Sequence, residues 1–158
     1  MANEGKALEK NFREGFSDDR VLRLYDTTNG FKGVANPCDF VVFGDSKTIL
    51  VECKSVKGTR LPFDNITECQ WDGLSRYRSK SVISGILVEF REVRRVYFVD
   101  IYTLQDILSQ GVKSINVHEC ERRALPVDVN YKRTNFEHDG YSFIIKCERF
   151  FRYSDEIH

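Results

Sequence analysis

Asp39, Glu52 and Lys54 are residues of the types that hold a hard divalent cation and offset developing negative charge, and their spacing brings them together on one hairpin. Carboxylate oxygens suit Mg²⁺ or Mn²⁺, and a neighbouring ammonium can stabilise charge on a phosphoryl group or orient an attacking water. The segments 39–43 and 48–54 are rich in β-branched and aromatic residues, and Gly44-Asp45-Ser46-Lys47 between them is a turn signal. A turn centred between Asp45 and Ser46 sets Phe43 against Thr48, Val41 against Leu50 and Asp39 against Glu52, with facing residues about 5 Å apart. Alternation along the strands puts Glu52 and Lys54 on the face of Asp39, Val41 and Leu50, and turns Cys53 to the other face with Phe40, Val42 and Ile49.

Both faces of this hairpin are largely apolar, the mark of an interior strand. Two carboxylates there repel each other and resist ionisation unless something compensates, and a bound cation is the natural compensation. The plain alternative is a cross-strand ion pair on a solvated rim. The shared face, the facing register and the apolar neighbours favour the metal site.

Elements on either side must hold this hairpin in place. Residues 3–16 read as a helix with Gly5, Glu9, Phe12 and Phe16 on one stripe. Glu9 on that stripe either helps hold a metal or pairs with Arg13 at i,i+4. Val21–Tyr25 reads as a short strand, and the loop Thr27–Pro37 carries Lys32, which either meets a phosphate or is simply solvated. After Lys54 the chain runs through Lys57, Gly58, Thr59 and Arg60, a basic loop suited to a nucleic-acid backbone. Asn65-Ile-Thr-Glu68 reads as a capping box opening a helix to Ser79, with Ile66, Cys69, Gln70, Gly73, Leu74 and Tyr77 inward. Gln70, the polar member, either bonds backbone in the core or turns toward the site.

Val82–Phe90 and Val93–Asp100 read as strands joined at Arg91-Glu92, with Arg91, Arg94 and Arg95 making a basic tip, either solvated or a clamp on DNA. Thr103–Gln110 and Val117–Arg123 read as short helices. Beyond Pro126 only Tyr141–Cys147 reads as a strand. The pairs Lys132-Arg133 and Arg149-Arg152 read as solvated surface charge, with phosphate binding as the alternative, and His118, His138 and His158 as surface residues.

The 158 residues suit a single domain, 1–158, with a core over about 5–110 and a C-terminal extension over 111–158. Apolar residues make up 41% of the chain and aromatics 13%, which excludes a disordered class. Acidic and basic residues balance at 24 each, so any affinity for nucleic acid must come from local clusters. Five cysteines at irregular spacing, with no C-x-x-C pair, argue against a zinc site or a disulfide framework and for free thiols. No leader-like apolar segment and no run near the ~20 apolar residues of a membrane span appears, so a cytoplasmic protein with no membrane partner is expected. No Walker-type glycine loop is present, so no nucleotide cofactor is expected.

The order helix, hairpin with Asp…Glu-x-Lys, helix, strand resembles the PD-(D/E)XK nuclease core, with Pro37-Cys38-Asp39 and Glu52-Cys53-Lys54 as its motif. The longer string from Asn36-Pro-Cys-Asp39 through Glu52-Cys-Lys54, Gly58-Thr59, Pro62-Phe63 and Ile66-Thr-Glu-Cys-Gln70 is similar to the RecU-type Holliday junction resolvases. The resemblance implies an α/β, restriction-endonuclease-like fold, a mixed central sheet flanked by helices. It implies an endodeoxyribonuclease that resolves four-way DNA junctions as a homodimer with Mg²⁺, for which Mn²⁺ substitutes. It makes Asp39, Glu52 and the Cys53 carbonyl metal ligands, Lys54 the charge-stabilising and water-positioning residue, Gln70 an active-site residue and Glu9 an accessory acid. Lys32, Lys57, Thr59 and Arg60 become DNA contacts, and the apolar stripe of the first helix a candidate dimer surface. The rival readings are a nuclease of the same superfamily acting on linear, nicked or flap DNA, and a non-catalytic DNA-binding module on this fold. Two departures stand out: Cys69 occupies the position where the family often has a His, and the segment before Asp39 is shorter than the family's stalk. The short stalk suggests a compact version, either phage-encoded or otherwise minimal, acting in a bacterial host cell or its nucleoid.

Overall fold

The hairpin of β2 (Phe40–Phe43) and β3 (Thr48–Val56) forms in the expected register, with Phe43 paired to Thr48, Val41 to Leu50 and Phe40 to Val51. The computed structural model describes residues 3–25 and 36–157, with side chains up to residue 151. Before the hairpin come α1 (Glu4–Glu14) and the edge strand β1 (Val21–Arg23). After it come β4 (Arg60–Pro62), α2 (Glu68–Tyr77), β5 (Val82–Phe90), β6 (Arg95–Asp100) and α3 (Ile101–Ser109). The chain continues through β7 (Ser114–Asn116), α4 (Val117–Arg123), β8 (Leu125–Val127), β9 (Val129–Tyr131), β10 (Phe136–His138) and α5 (Gly140–Ile157).

Six strands make one sheet in the order β1-β2-β3-β5-β6-β8. Only β3 and β5 run parallel, because α2 carries the chain back between them; the other neighbours are antiparallel. Side-chain alternation then builds two cores. Phe40, Val42, Ile49, Val51, Cys53 and Leu87 pack with Leu8 and Phe12 of α1 and with Phe143, Ile144 and Cys147 of α5. Leu50, Ile86, Val88, Phe90 and Val99 pack on the other side with Leu74 of α2 and Leu104 of α3. The faces assigned to Leu50, Phe40, Val42, Ile49 and Cys53 are those observed.

Several local expectations are corrected. Tyr141–Cys147 is the start of α5, not a strand. Its apolar residues Phe143, Ile144, Cys147 and Phe151 follow a helical spacing and are buried on one side, and the Asp139 carboxylate caps the N–H groups of Tyr141 and Ser142. A β-branched and aromatic run of seven residues is ambiguous by composition, and the cap resolves it. The α2 cap is Thr67, two residues later than Asn65, and its capping box is closed by Gln70 rather than Glu68. Cys69 and Tyr77 of α2 are exposed. The turn before β6 takes residues 91–94, with Arg94 at a φ of 51°.

Two assignments to the surface also change. Leu8, Phe12 and Phe16 are consumed by the first core, so the α1 stripe offers no apolar surface to a second copy. His138 is wedged against Phe12, with ring centroids 5.3 Å apart and planes 3° apart, and its Nε2 lies 2.6 Å from the Phe12 carbonyl. A carbonyl only accepts, so Nε2 carries the proton, and burial holds the imidazole below its ordinary pKa. His158 lies outside the described residues, and His118 is exposed.

The β2–β3 turn is fastened from a distance. One oxygen of Glu148 on α5 accepts the backbone N–H groups of Ser46 at 2.8 Å and Lys47 at 3.1 Å. Hydrogen bonds to a charged group contribute about 1.5–3 kcal/mol when well shielded, and this one is partly solvated. Glu148→Ala should therefore lower unfolding stability by about 1–2 kcal/mol in a denaturant titration. A loss below about 0.3 kcal/mol would show the turn to be held by its own backbone.

Candidate active site

Glu52 sits mid-strand in β3, among the most enclosed polar side chains of the protein at 6% exposure. Such a carboxylate needs partners. The Gln70 side-chain N–H donates to Glu52 Oε1 at 2.7 Å, and Lys54 Nζ lies 3.8 Å from the same oxygen. Gln70 is itself aimed by the helix cap, since its Oε1 accepts the Thr67 N–H at 3.0 Å. One amide thus closes the capping box with its oxygen and orients Glu52 with its nitrogen. The helix reaches this close to the hairpin because residue 73 is glycine: a Cβ there would lie 2.7 Å from Pro37 Cα, two residues before Asp39.

Asp39 lies just outside β2. The regular ladder ends at Phe40 and Val51, and the Asp39 N–H turns to the Val51 carbonyl at 3.1 Å, so the expected direct pairing with Glu52 is not made. Its carboxylate instead accepts the Cys53 N–H at 2.9 Å. A strand residue turns its N–H and C=O to the same side, so the Cys53 carbonyl also faces the space beyond the end of β2. Cys53 itself buries its thiol in the first core, where burial pushes its pKa well up.

Glu9 does not pair with Arg13, which bonds Asp18. It pairs with Arg23, at 2.5 Å, and the Arg23 guanidinium lies over the Phe40 ring at 5.2 Å. Arg23 is a residue that sequence reasoning missed. Its only signal is its place in a strand preceding the site, and its partner becomes visible only when β1 pairs with β2. The Asp39 carboxyl is raised above the ordinary carboxylate range by burial and by the charge of Glu9; the Cys53 N–H, Arg23 and Lys54 oppose the shift. Asp39 therefore stands where charges from both faces of the sheet meet.

The structure brings together Asp39, Glu52, Lys54, Gln70 and the Cys53 backbone, with Glu9 close enough to act on Asp39 through its charge. Lys57 and Thr59 are exposed on the loop leaving β3, and Arg60, exposed at the start of β4, donates to the Ser114 hydroxyl at 2.7 Å. Lys32 lies outside the described residues. No three His, Cys, Asp or Glu side chains converge as a metal ligand set among the described residues. The donor set that fits a hard divalent ion is the two carboxylates with the Cys53 carbonyl, all oxygen, in a partly desolvated place where negative charge is costly.

Hjc from Archaeoglobus fulgidus, a Holliday junction resolvase from an archaeal hyperthermophile, has a solved structure similar to this one with a TM-score of 0.51 at 17% identity, over 78% of this chain and 92% of that one. At such identity the likeness speaks for the fold, the expected mixed sheet flanked by helices. A search of curated proteins found no match. The family model described as Recombination protein U matches residues 21–146, which takes in the hairpin, the Gln70 helix and everything through the first turns of α5, and on that match the chain belongs to the RecU family.

Proposed function

We propose that the chain is a metal-dependent endonuclease that resolves four-way DNA junctions by paired phosphodiester hydrolysis. The observation that carries this reading is the contact of Glu52 with both Gln70 and Lys54, at the end of the hairpin that presents Asp39. Membership of the RecU family and the resolvase named among its structural neighbours support branched DNA as the substrate.

Asp39, Glu52 and the Cys53 carbonyl would hold Mg²⁺, with Mn²⁺ able to replace it. When bound, such an ion supplies Lewis acidity and lowers the pKa of water. The Lys54 ammonium offsets charge on the non-bridging oxygens of the phosphate and positions the attacking water. Gln70 holds Glu52 in one rotamer, so no reorganisation is needed when substrate arrives. Lys57, Thr59 and Arg60 extend from the end of β3 to take the backbone of the cut strand. Paired cuts need two such sites, so two copies act together.

The reading also predicts how the ion and the proton compete. The raised pKa of Asp39 means the folded state binds its proton more tightly than the unfolded chain does. This group therefore favours folding when protonated, and that contribution is lost as pH rises through its folded value. At neutral pH the ionised Asp39 is a cost that a cation relieves. Mg²⁺ should raise the melting temperature at pH 8, and the gain should shrink as pH falls toward the raised pKa. Asp39→Asn should remove most of the gain; an equal gain in that variant would place the ion elsewhere.

Substrate choice is tested by a panel of a four-way junction, a flap and a linear duplex of matched length with Mg²⁺. Symmetric nicks on the junction at a rate well above the other two are expected. Equal cutting of linear duplex would make the protein a nuclease of another specificity, and binding without cutting a DNA-binding module.

A further inference from the structure

On the sheet face opposite to Glu52, the ends of β3 and β5 carry a second polar cluster built on a buried acid. Glu89, 7% exposed, accepts the Ser55 hydroxyl at 2.9 Å on one oxygen and the Tyr131 hydroxyl at 2.8 Å on the other. Burial, and then the charge of Glu89, push the Tyr131 phenol above its ordinary pKa, so its proton stays in this bond. Both hydroxyl protons being committed to Glu89, their outer sides can only attract cations. Arg91 donates to the Ser55 oxygen at 2.8 Å, and the Arg94 guanidinium lies over the Tyr131 ring at 5.6 Å.

Arginines on a turn ordinarily wave in solvent, and gathering them costs side-chain entropy. Here that entropy is lost before any ligand arrives. Arg94 also adopts a φ of 51°, in the left-handed region that a glycine or asparagine would occupy more cheaply. Neighbouring Arg95 is neutralised by Glu121. Neither Arg91 nor Arg94 has a carboxylate partner among the described residues. Glu92, the acid on the same turn, faces Gly58. The turn is tied to the loop that leaves the active site, since the N–H groups of Arg91 and Glu92 donate to the carbonyls of Val56 at 3.0 Å and Lys57 at 2.9 Å.

We propose that Arg91 and Arg94 form a second phosphate-binding site, on the face of the sheet away from Glu52, that takes a duplex arm other than the one being cut. The inference rests on the resolvase reading. Planar guanidinium groups suit phosphate oxygens, and fixing two of them on a rigid hairpin selects for a backbone at one set position. A linear duplex lying along the active-site face does not reach the opposite face, whereas a branched substrate presents a further arm to it. Junction preference would then arise from the sheet's two faces.

The test measures DNA binding by fluorescence anisotropy in EDTA, with a four-way junction and a linear duplex of equal arm length. The proteins are wild type, Arg91→Ala/Arg94→Ala and Tyr131→Phe, each checked by thermal unfolding. The double variant should lose about tenfold or more in junction affinity and less than about threefold on linear duplex. Its log–log salt dependence on the junction should flatten by about 2, because two phosphates are no longer neutralised. Tyr131→Phe keeps both charges and should keep the slope while losing several-fold in junction affinity. Equal losses on both DNAs, or an unchanged salt slope in the double variant, overturn the inference while leaving wild-type resolution intact. Wild-type protein that neither binds nor cuts a junction overturns the resolvase reading and this inference with it.

Discussion

Lys54→Ala and Asp39→Asn should each lower cleavage of a synthetic mobile four-way junction by about 10²–10³-fold or more, with junction binding retained. The magnitude is that of removing one preorganised group from a developing negative charge, about 2.7–4 kcal/mol of barrier. The two variants lose it differently. Lys54→Ala removes the ammonium beside Glu52, which keeps its bond to Gln70. Asp39→Asn removes a charge, yet the amide oxygen can still accept the Cys53 N–H, so the hairpin end survives. Because the lost charge was a desolvated one, Asp39→Asn should melt no lower than wild type at neutral pH without divalent ions. The measurement is single-turnover cleavage beside a binding titration. Cleavage by Lys54→Ala within about tenfold of wild type would remove Lys54 from the chemistry.

The largest loss of stability is expected at Arg78, far from any charge pattern visible in the sequence. Its side chain is fully buried and makes a two-pronged pair with Asp100, Nε to Oδ1 at 3.0 Å and Nη2 to Oδ2 at 2.9 Å. It also donates to the Val82 carbonyl at 3.3 Å and lies over the Tyr102 ring at 4.6 Å. Arg78→Met would leave the Asp100 carboxylate buried beside an apolar chain. Breaking a buried pair from one side costs about 3–5 kcal/mol. For a chain of this size that is a fall in melting temperature of roughly 6–20 °C. Adding Asp100→Asn removes the orphaned charge and keeps the bond to the Tyr102 N–H that caps α3, so the double variant should recover more than half of the loss. A single-variant loss below about 1 kcal/mol would show that Asp100 finds water or another partner.

The site and the fold differ in how much of each can be read from the residues in order. Hairpin register, the faces of Glu52 and Cys53, and the long strand Val82–Phe90 follow from alternation and a turn, which are local. The same locality makes the reach of Asp39 legible, although its ladder ends one residue sooner. The helix Val117–Arg123 is as its pattern indicates. The short strands β4, β7, β8, β9 and β10 are hidden because three residues carry too little periodicity, and each exists only because a partner strand lies beside it.

The candidate site is legible in the order of residues: an acid pair, a lysine and a glutamine at spacings that a hairpin and one helix bring together. Partnerships between residues far apart in the chain come instead from the packing. Arg23 reaches Glu9 because, paired with Phe40, it lies on the sheet face that α1 covers, Glu148 ties the turn because α5 returns across the sheet, and Glu89 gathers Tyr131 and Ser55 because β9 packs against the first core. Periodicity reports which face a side chain takes. It carries no information on which distant face comes to meet it, and that meeting is settled by the packing of two cores against one sheet.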